Sequence, residues 1–219
     1  MTTRSLSAAS PSPAASRTAP AATGTLPVET PRRAPIGRRL LVPLLGLVGF
    51  AAAVVTRVAI GGSDPAGSIP AGLVFAACVG VLGVGVGSAP AHLTWRSLTW
   101  GLAGAAVLCV PVVAELHISR SANSFFGWSL ATTAVVIAEE RLLRGSLFSA
   151  LQRAGGTGLA VLVTSSAFAL MHVPLYGWRV LPLDFAVGVL LGALRLTTGS
   201  WAAPAVAHAI ADYVGWFTA

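Results

Sequence analysis

Three short stretches of this 219-residue chain put polar groups where the neighbouring residues are apolar. The first runs Ala-Thr-Thr-Ala-Val-Val-Ile-Ala into Glu139, Glu140, Arg141, Leu142, Leu143 and Arg144. The second places His172 four residues after Phe168, and the third places Asp212 four residues after His208. A charged side chain at the centre of a membrane helix costs roughly 2.5–3.5 kcal/mol on insertion scales, so such groups normally face a cavity or a partner. A glutamate beside a histidine is what activation of a water molecule requires. Burial favours the neutral form of each, so either can take or give a proton near neutrality. A second histidine with an Asx-type side chain can polarise a carbonyl or hold a developing oxyanion. The same four groups, Glu139, His172, His208 and Asp212, are also acceptable zinc ligands. Spacing leaves acid–base and metal chemistry both open. Neither a His-Glu-x-x-His zinc signature nor a Gly-x-Ser-x-Gly nucleophile elbow is present.

Helical geometry sorts these groups. Adjacent residues project about 100° apart on a helix, so Glu139 and Glu140 serve different neighbours. Glu140 and Arg144 stand four apart with the acid first, the favourable order for an ion pair. Glu139 has no cation at that spacing and faces something else. Phe168 and His172 share a face, as do His208 and Asp212. Pro174 is expected to end or kink its helix just past His172. Each segment also has a plainer reading: a solvated charge cluster on an emerging helix, a satisfied interfacial histidine, and a local His–Asp pair that helps helices pack.

The elements that carry these residues must be membrane helices. The chain is 55% apolar and 10% charged with mean hydropathy +0.79, against about 25% charged in ordinary soluble domains. Apolar runs recur at about 40–60, 69–88, 98–116, 126–150, 158–174, 181–196 and 201–218, each near the ~20 residues needed to cross a ~30 Å hydrocarbon core. The expected fold is all-α, a polytopic transmembrane helical bundle of about seven spans over residues 37–219. The first run is too long and too poorly terminated for a cleaved signal peptide. The runs are unbroken rather than alternating, which disfavours a β-barrel. Counted from the expected inner ends of their spans, Glu139, His172 and the His208–Asp212 pair lie at overlapping depths, roughly 10–24 Å in at 1.5 Å per residue. They can therefore converge. Gly80, Gly83, Gly85 and Gly87 are expected at helix–helix contacts.

Residues 1–36 are different: Ser, Thr, Ala and Pro supply 25 of them, and a disordered tail is expected. All 14 basic residues are arginine. Apart from the pairs Arg32–Arg33 and Arg38–Arg39 they are scattered along the chain, and they read as orienting charges rather than as a nucleic-acid groove. With the tail inside, nine arginines (4, 17, 32, 33, 38, 39, 96, 153 and 195) fall on the inner side, while Arg57, Arg120 and Arg179 fall outside, so a cytoplasmic N-terminus is expected. Trp95, Trp100, Trp178, Trp201 and Trp216 read as interfacial anchors. Asp184 and Arg195 read as span ends, and Glu115 and His117 as the edge of the third span. Cys78 and Cys109 sit in apolar runs and make no zinc-type pair or disulfide framework.

Over about residues 125–217 the three segments resemble the motifs of the CPBP intramembrane protease family, which joins the CAAX prenyl endopeptidases to bacterial Abi proteins. That family shows Glu-Glu-x-x-x-Arg, Phe-x-x-x-His and His-x-x-x-Asn/Asp on successive helices. Here they read Glu139-Glu140-x-x-x-Arg144, Phe168-x-x-x-His172 and His208-x-x-x-Asp212. Arg144-Gly145 after the first motif and Gly192-Ala-Leu-Arg-Leu-Thr-Thr-Gly199-Ser200 before the last are similar as well. The resemblance implies that Glu139 activates water with His172 beside it. It implies that Glu140 and Arg144 support them, with Phe168 on the face of His172, and that His208 and Asp212 lie near the scissile carbonyl. It leaves open a metal such as Zn2+ held by Glu139, His172, His208 and Asp212, or no cofactor at all. Asp212 is the departure, because the prenyl endopeptidases have Asn there. An ionised Asp would repel an oxyanion and would suit a metal.

The expectation is an intramembrane endopeptidase that hydrolyses a peptide bond of a membrane-associated peptide or protein with Glu/His-activated water, with or without a metal. Its partners are then that substrate and the lipid bilayer, with no nucleic acid. The lysine-free, Ala/Gly/Arg-rich composition suggests a GC-rich bacterium and hence a bacterial plasma membrane. Two other classes stay open: a non-catalytic membrane binding or immunity protein, and a small transporter with the buried Glu and His as a proton relay.

Overall fold

A computed structural model describes residues 36–87, 91–114 and 125–217. The tail expected over residues 1–36 lies outside the described residues except for Ile36, as do Glu115, His117 and Arg120. Seven α-helices follow in order: α1 (Ile36–Gly61), α2 (Ile69–Val86), α3 (Trp95–Ala114), α4 (Phe125–Glu140), α5 (Phe148–Tyr176), α6 (Leu181–Thr198) and α7 (Ala202–Trp216). A π-helical segment, Arg141–Leu147, joins α4 to α5, and a 3-10 turn, Trp178–Val180, precedes α6. No strand occurs among the described residues. Among the described residues four stretches are long and apolar enough to cross a membrane: Leu40–Gly61, Ile69–Val86, Phe125–Tyr176 and Trp178–Thr198. Neither α3 nor the 15-residue α7 is among them, so the expected count of seven spans is not confirmed.

Local signals place the helix ends. Ser68 caps α2 by accepting from the Ala71 N–H at 3.4 Å, with a proline in the first turn. α6 starts with a proline and Asp184 in its first turn, carries Arg195 in its last, and stops at Gly199 with φ 71°. Ser200 then accepts from the Ala202 N–H that opens α7 and from the His92 N–H before α3. α5 ends just past Pro174, as expected. The helix runs on to Tyr176 and stops at Gly177, where φ is 85°.

The π-helical link lets Phe125–Tyr176 run as 52 residues of nearly continuous helix. Straight, it would span about 78 Å, more than twice the hydrocarbon core. Gly156 breaks it with φ 88° and ψ 177°. The chain reverses there, because the Arg144 guanidinium lies 4.5 Å from the ring centre of Phe168, 24 residues further on. Phe148 and Leu151 before the break likewise pack on Ala160 after it. This reversal brings the first two motifs to one place.

The core collects Phe50, Phe75, Val79, Leu142, Leu143 and Phe168 from several helices, while Val48, Val55, Val81 and Val84 remain exposed. Apolar exposure on that scale suits lipid rather than water. α3 packs chiefly on α7, α5 on α6, and α1 on α2. The close approaches occur at glycines other than those expected. A Cβ on Gly188 of α6 would stand 2.8 Å from the Ser165 Cα of α5, and one on Gly104 of α3 would stand 2.6 Å from Leu194 Cδ1. Gly80, Gly85 and Gly87 have open space instead, and Gly83 only ordinary contact. The glycine-rich text of α2 marked small residues but not which side they face.

Gly188→Ala should therefore destabilise the fold by about 1–3 kcal/mol, because the clashing atom is backbone and cannot turn aside. Gly80→Ala should be neutral or slightly stabilising. Thermal unfolding of both variants in detergent checks the contrast.

Candidate active site

The centre of the bundle holds a buried carboxylate with two nitrogen partners, one from Arg144 and one from His208. Glu140 is fully buried. Its Oε1 accepts from Arg144 Nη1 at 3.0 Å and from His208 Nδ1 at 3.0 Å. The first contact is the four-residue pair that the sequence indicates. The second joins α4 to α7 across 68 residues, and nothing in the spacing announces it. Arg144 is fully buried too. Its Nη2 reaches the Gly188 carbonyl at 3.4 Å, and its guanidinium covers the Phe168 ring. The solvated charge cluster that the sequence also allowed is excluded by this burial. Arg195, expected as a span end, stands in the last turn of α6 and donates from Nε to the Arg144 carbonyl at 2.9 Å. A π turn at this point is a recurrent feature of functional sites. Here it begins directly after the two glutamates and carries Arg144.

Phe168 is the spacer between the histidines. Its ring meets the His172 ring edge-on at 4.7 Å and the His208 ring edge-on at 5.2 Å. His172 donates from Nδ1 to the Phe168 carbonyl at 2.9 Å. That bond leaves its Nε2 lone pair available. Asp184 stands in the first turn of α6, as a span end should, but its Oδ2 also lies 3.6 Å from His172 Nδ1. A span-end reading by itself missed that proximity.

Glu139, 2% exposed, makes no hydrogen bond or ion pair among the described residues. It lines a cavity of about 770 Å³ together with His172, His208 and Asp212. All four residues singled out for chemistry thus border one space. Asp212 Oδ2 stands 3.6 Å from His208 Nε2, so that ring lies between two carboxylates. A second cavity of about 470 Å³ shares His172, His208 and Asp212 and is otherwise walled mainly by apolar residues of α3 and α6. The first cavity also takes in Arg57 of α1, Asp64 of the α1–α2 connection, Trp128 of α4 and Tyr176 of α5. Sequence reading left these out. The rule that flagged Glu139, a charge within an apolar run, also applies to Arg57, which orientation counting absorbed instead. Trp216 belongs to the cavity wall as well, 4.5 Å from Trp128 between ring centres, whereas Trp95 and Trp178 are largely exposed, as anchors should be.

Among the described residues no three His, Cys, Asp or Glu side chains form a group that could hold a metal ion. Glu140 holds His208 and Phe168 holds His172 by contacts that an acid–base site can use.

Residues 121–214 match a family model described as type II CAAX prenyl endopeptidase Rce1-like. The matched segment contains all three motifs and every residue of the Glu140 cluster. No curated protein and no solved structure matches the chain.

Glu140→Gln should cost about 3–5 kcal/mol of stability, because it strands a buried guanidinium. Glu139→Gln, which breaks no pair, should cost under about 1 kcal/mol. Unfolding of the two purified variants in detergent, followed side by side, checks this.

Proposed function

We propose that the Rce1-like segment makes this chain an intramembrane endopeptidase acting on a membrane-associated peptide or protein. The observation that carries the reading is the shared cavity. A buried carboxylate free of internal partners borders the same space as two imidazoles whose Nδ1 atoms are both engaged. The four apolar helical stretches and the family match support placement in the bilayer.

Glu139 is the general base. It removes a proton from a water molecule as the water oxygen attacks the carbonyl carbon of the scissile bond. His172 holds that water, since its Nδ1–H is committed to the Phe168 carbonyl and its Nε2 can accept. His208 is oriented by Glu140, as a catalytic imidazole is oriented by a buried carboxylate elsewhere. As an imidazolium between Glu140 and Asp212 it directs Nε2–H toward the carbonyl oxygen, where negative charge develops. Asp212, which would repel an oxyanion by itself, is offset by that adjacent ring. The proton held by Glu139 then passes to the leaving amine, and the carbon–nitrogen bond breaks.

The test is cleavage of a quenched peptide library by the purified chain in detergent. The parent should cleave, and Glu139→Gln and His172→Ala should each lower kcat by about 100-fold or more, in line with removal of an acid–base group. Cleavage that persists in both variants contradicts the assignment. A parent without cleavage whose biological activity survives both substitutions supports a binding protein instead.

A further inference from the structure

Arg57 is a charge that the reaction above does not use. It lies in α1, outside the residues that match the family model, yet it borders the same cavity as Glu139 and Asp212. It is 9% exposed, four residues before the helix ends, so it has not turned outward to the interface. Its Nε donates to the Pro65 carbonyl at 3.4 Å, and its guanidinium lies 5.2 Å from the centre of the Phe75 ring. Those contacts fix the plane of the group and leave Nη1 and Nη2 without a described partner. No carboxylate comes within ion-pair distance of it among the described residues. The acid nearest in sequence, Asp64, uses Oδ1 on the Gly67 N–H at 2.9 Å.

A buried, oriented guanidinium with no carboxylate in direct contact can receive an anion, and its fork matches a carboxylate with two parallel hydrogen bonds. Three carboxylates, Glu139, Asp212 and Asp64, border the cavity as well, and His208 is already engaged with Glu140 and Asp212, so a second anion in this space depends on Arg57. Among the described residues Arg57 is the one guanidinium on that wall. We infer that Arg57 is a substrate-binding residue that takes a carboxylate of the peptide, from an acidic side chain or a free terminus, and so selects acidic over neutral substrates. The inference rests on the peptide-hydrolase reading for its ligand class, but its test does not depend on turnover.

The probes are short apolar peptides in matched pairs, Glu against Gln at one position and free carboxylate against carboxamide at the terminus. Binding is measured in detergent on full-length Glu139→Gln protein, with and without Arg57→Gln or Arg57→Lys. One acidic member should bind roughly tenfold to a hundredfold more tightly than its neutral twin, as loss of a charge-assisted hydrogen bond predicts. Which pair shows the preference distinguishes side chain from terminus. Arg57→Gln should abolish the difference by weakening only the acidic member, and Arg57→Lys should restore part of it. An unchanged melting temperature in Arg57→Lys removes misfolding as the cause. Equal binding of both members, equal weakening of both by Arg57→Gln, or no binding overturns the inference. If acidic preference stands and the parent cleaves nothing, the hydrolase reading fails and the anion site remains. If the parent cleaves without acidic preference, only the anion site fails.

Discussion

One carboxylate oxygen ties three helical segments of this protein together. Glu140 Oε1 accepts from Arg144 on the π-helical link and from His208 on α7, where solvent does not reach. Placing a carboxylate and a guanidinium in a low-dielectric core is unfavourable unless each is closely satisfied. The arrangement answers that demand on most sides: Gly188 supplies a carbonyl to Arg144, Phe168 supplies a ring face, and His208 adds a second donor to Glu140. Glu140 Oε2 and Arg144 Nε remain buried without a hydrogen-bond partner, so the cluster is not fully relaxed. Residual dissatisfaction of this kind is tolerated where a group has to be held in a set position.

The position so held is that of His208, and through Phe168 that of His172. Phe168 touches Arg144 and both histidines, so one ring transmits the placement of the ion pair to the cavity wall. Glu139 then differs from Glu140 by one residue and about 100° of helix rotation. One glutamate is anchored and silent; the other faces open space. The two cavities meet at the histidines and Asp212, one wall more polar and the other mainly apolar. A peptide bond held near that junction would have polar groups on one side and apolar surface on the other.

Much of this was legible in the sequence because it is local. Helix periodicity gives the Glu140–Arg144 pair, the shared face of Phe168 and His172, and the exposure of Glu139 to something other than Arg144. Hydropathy gives the all-helical architecture. What could not be read is non-local. The Glu140–His208 bond depends on which face of α7 meets α4, and apolar helices of similar composition carry little information on that choice. The expectation for the α2 glycines holds for Gly83, which packs on the π-helical segment, and not for Gly80 and Gly85, for the same reason, since small residues permit close packing on any side. The proximity of Asp184 to His172 and the place of Arg57 on the wall were hidden by a rule that treats charges near helix ends as topological markers. The reversal at Gly156 was indicated by a gap between apolar runs, but its form, a helix interrupted by one glycine, was not.

The account depends most on the bond between Glu140 and His208, and a double-mutant cycle addresses it directly. Glu140→Gln, His208→Gln and the double variant are unfolded in detergent alongside the parent. The shared oxygen predicts a coupling energy of about 1 kcal/mol or more between the two positions. Additivity within about 0.3–0.5 kcal/mol, as for distant and independent sites, would contradict it and remove the device that orients the cavity histidine.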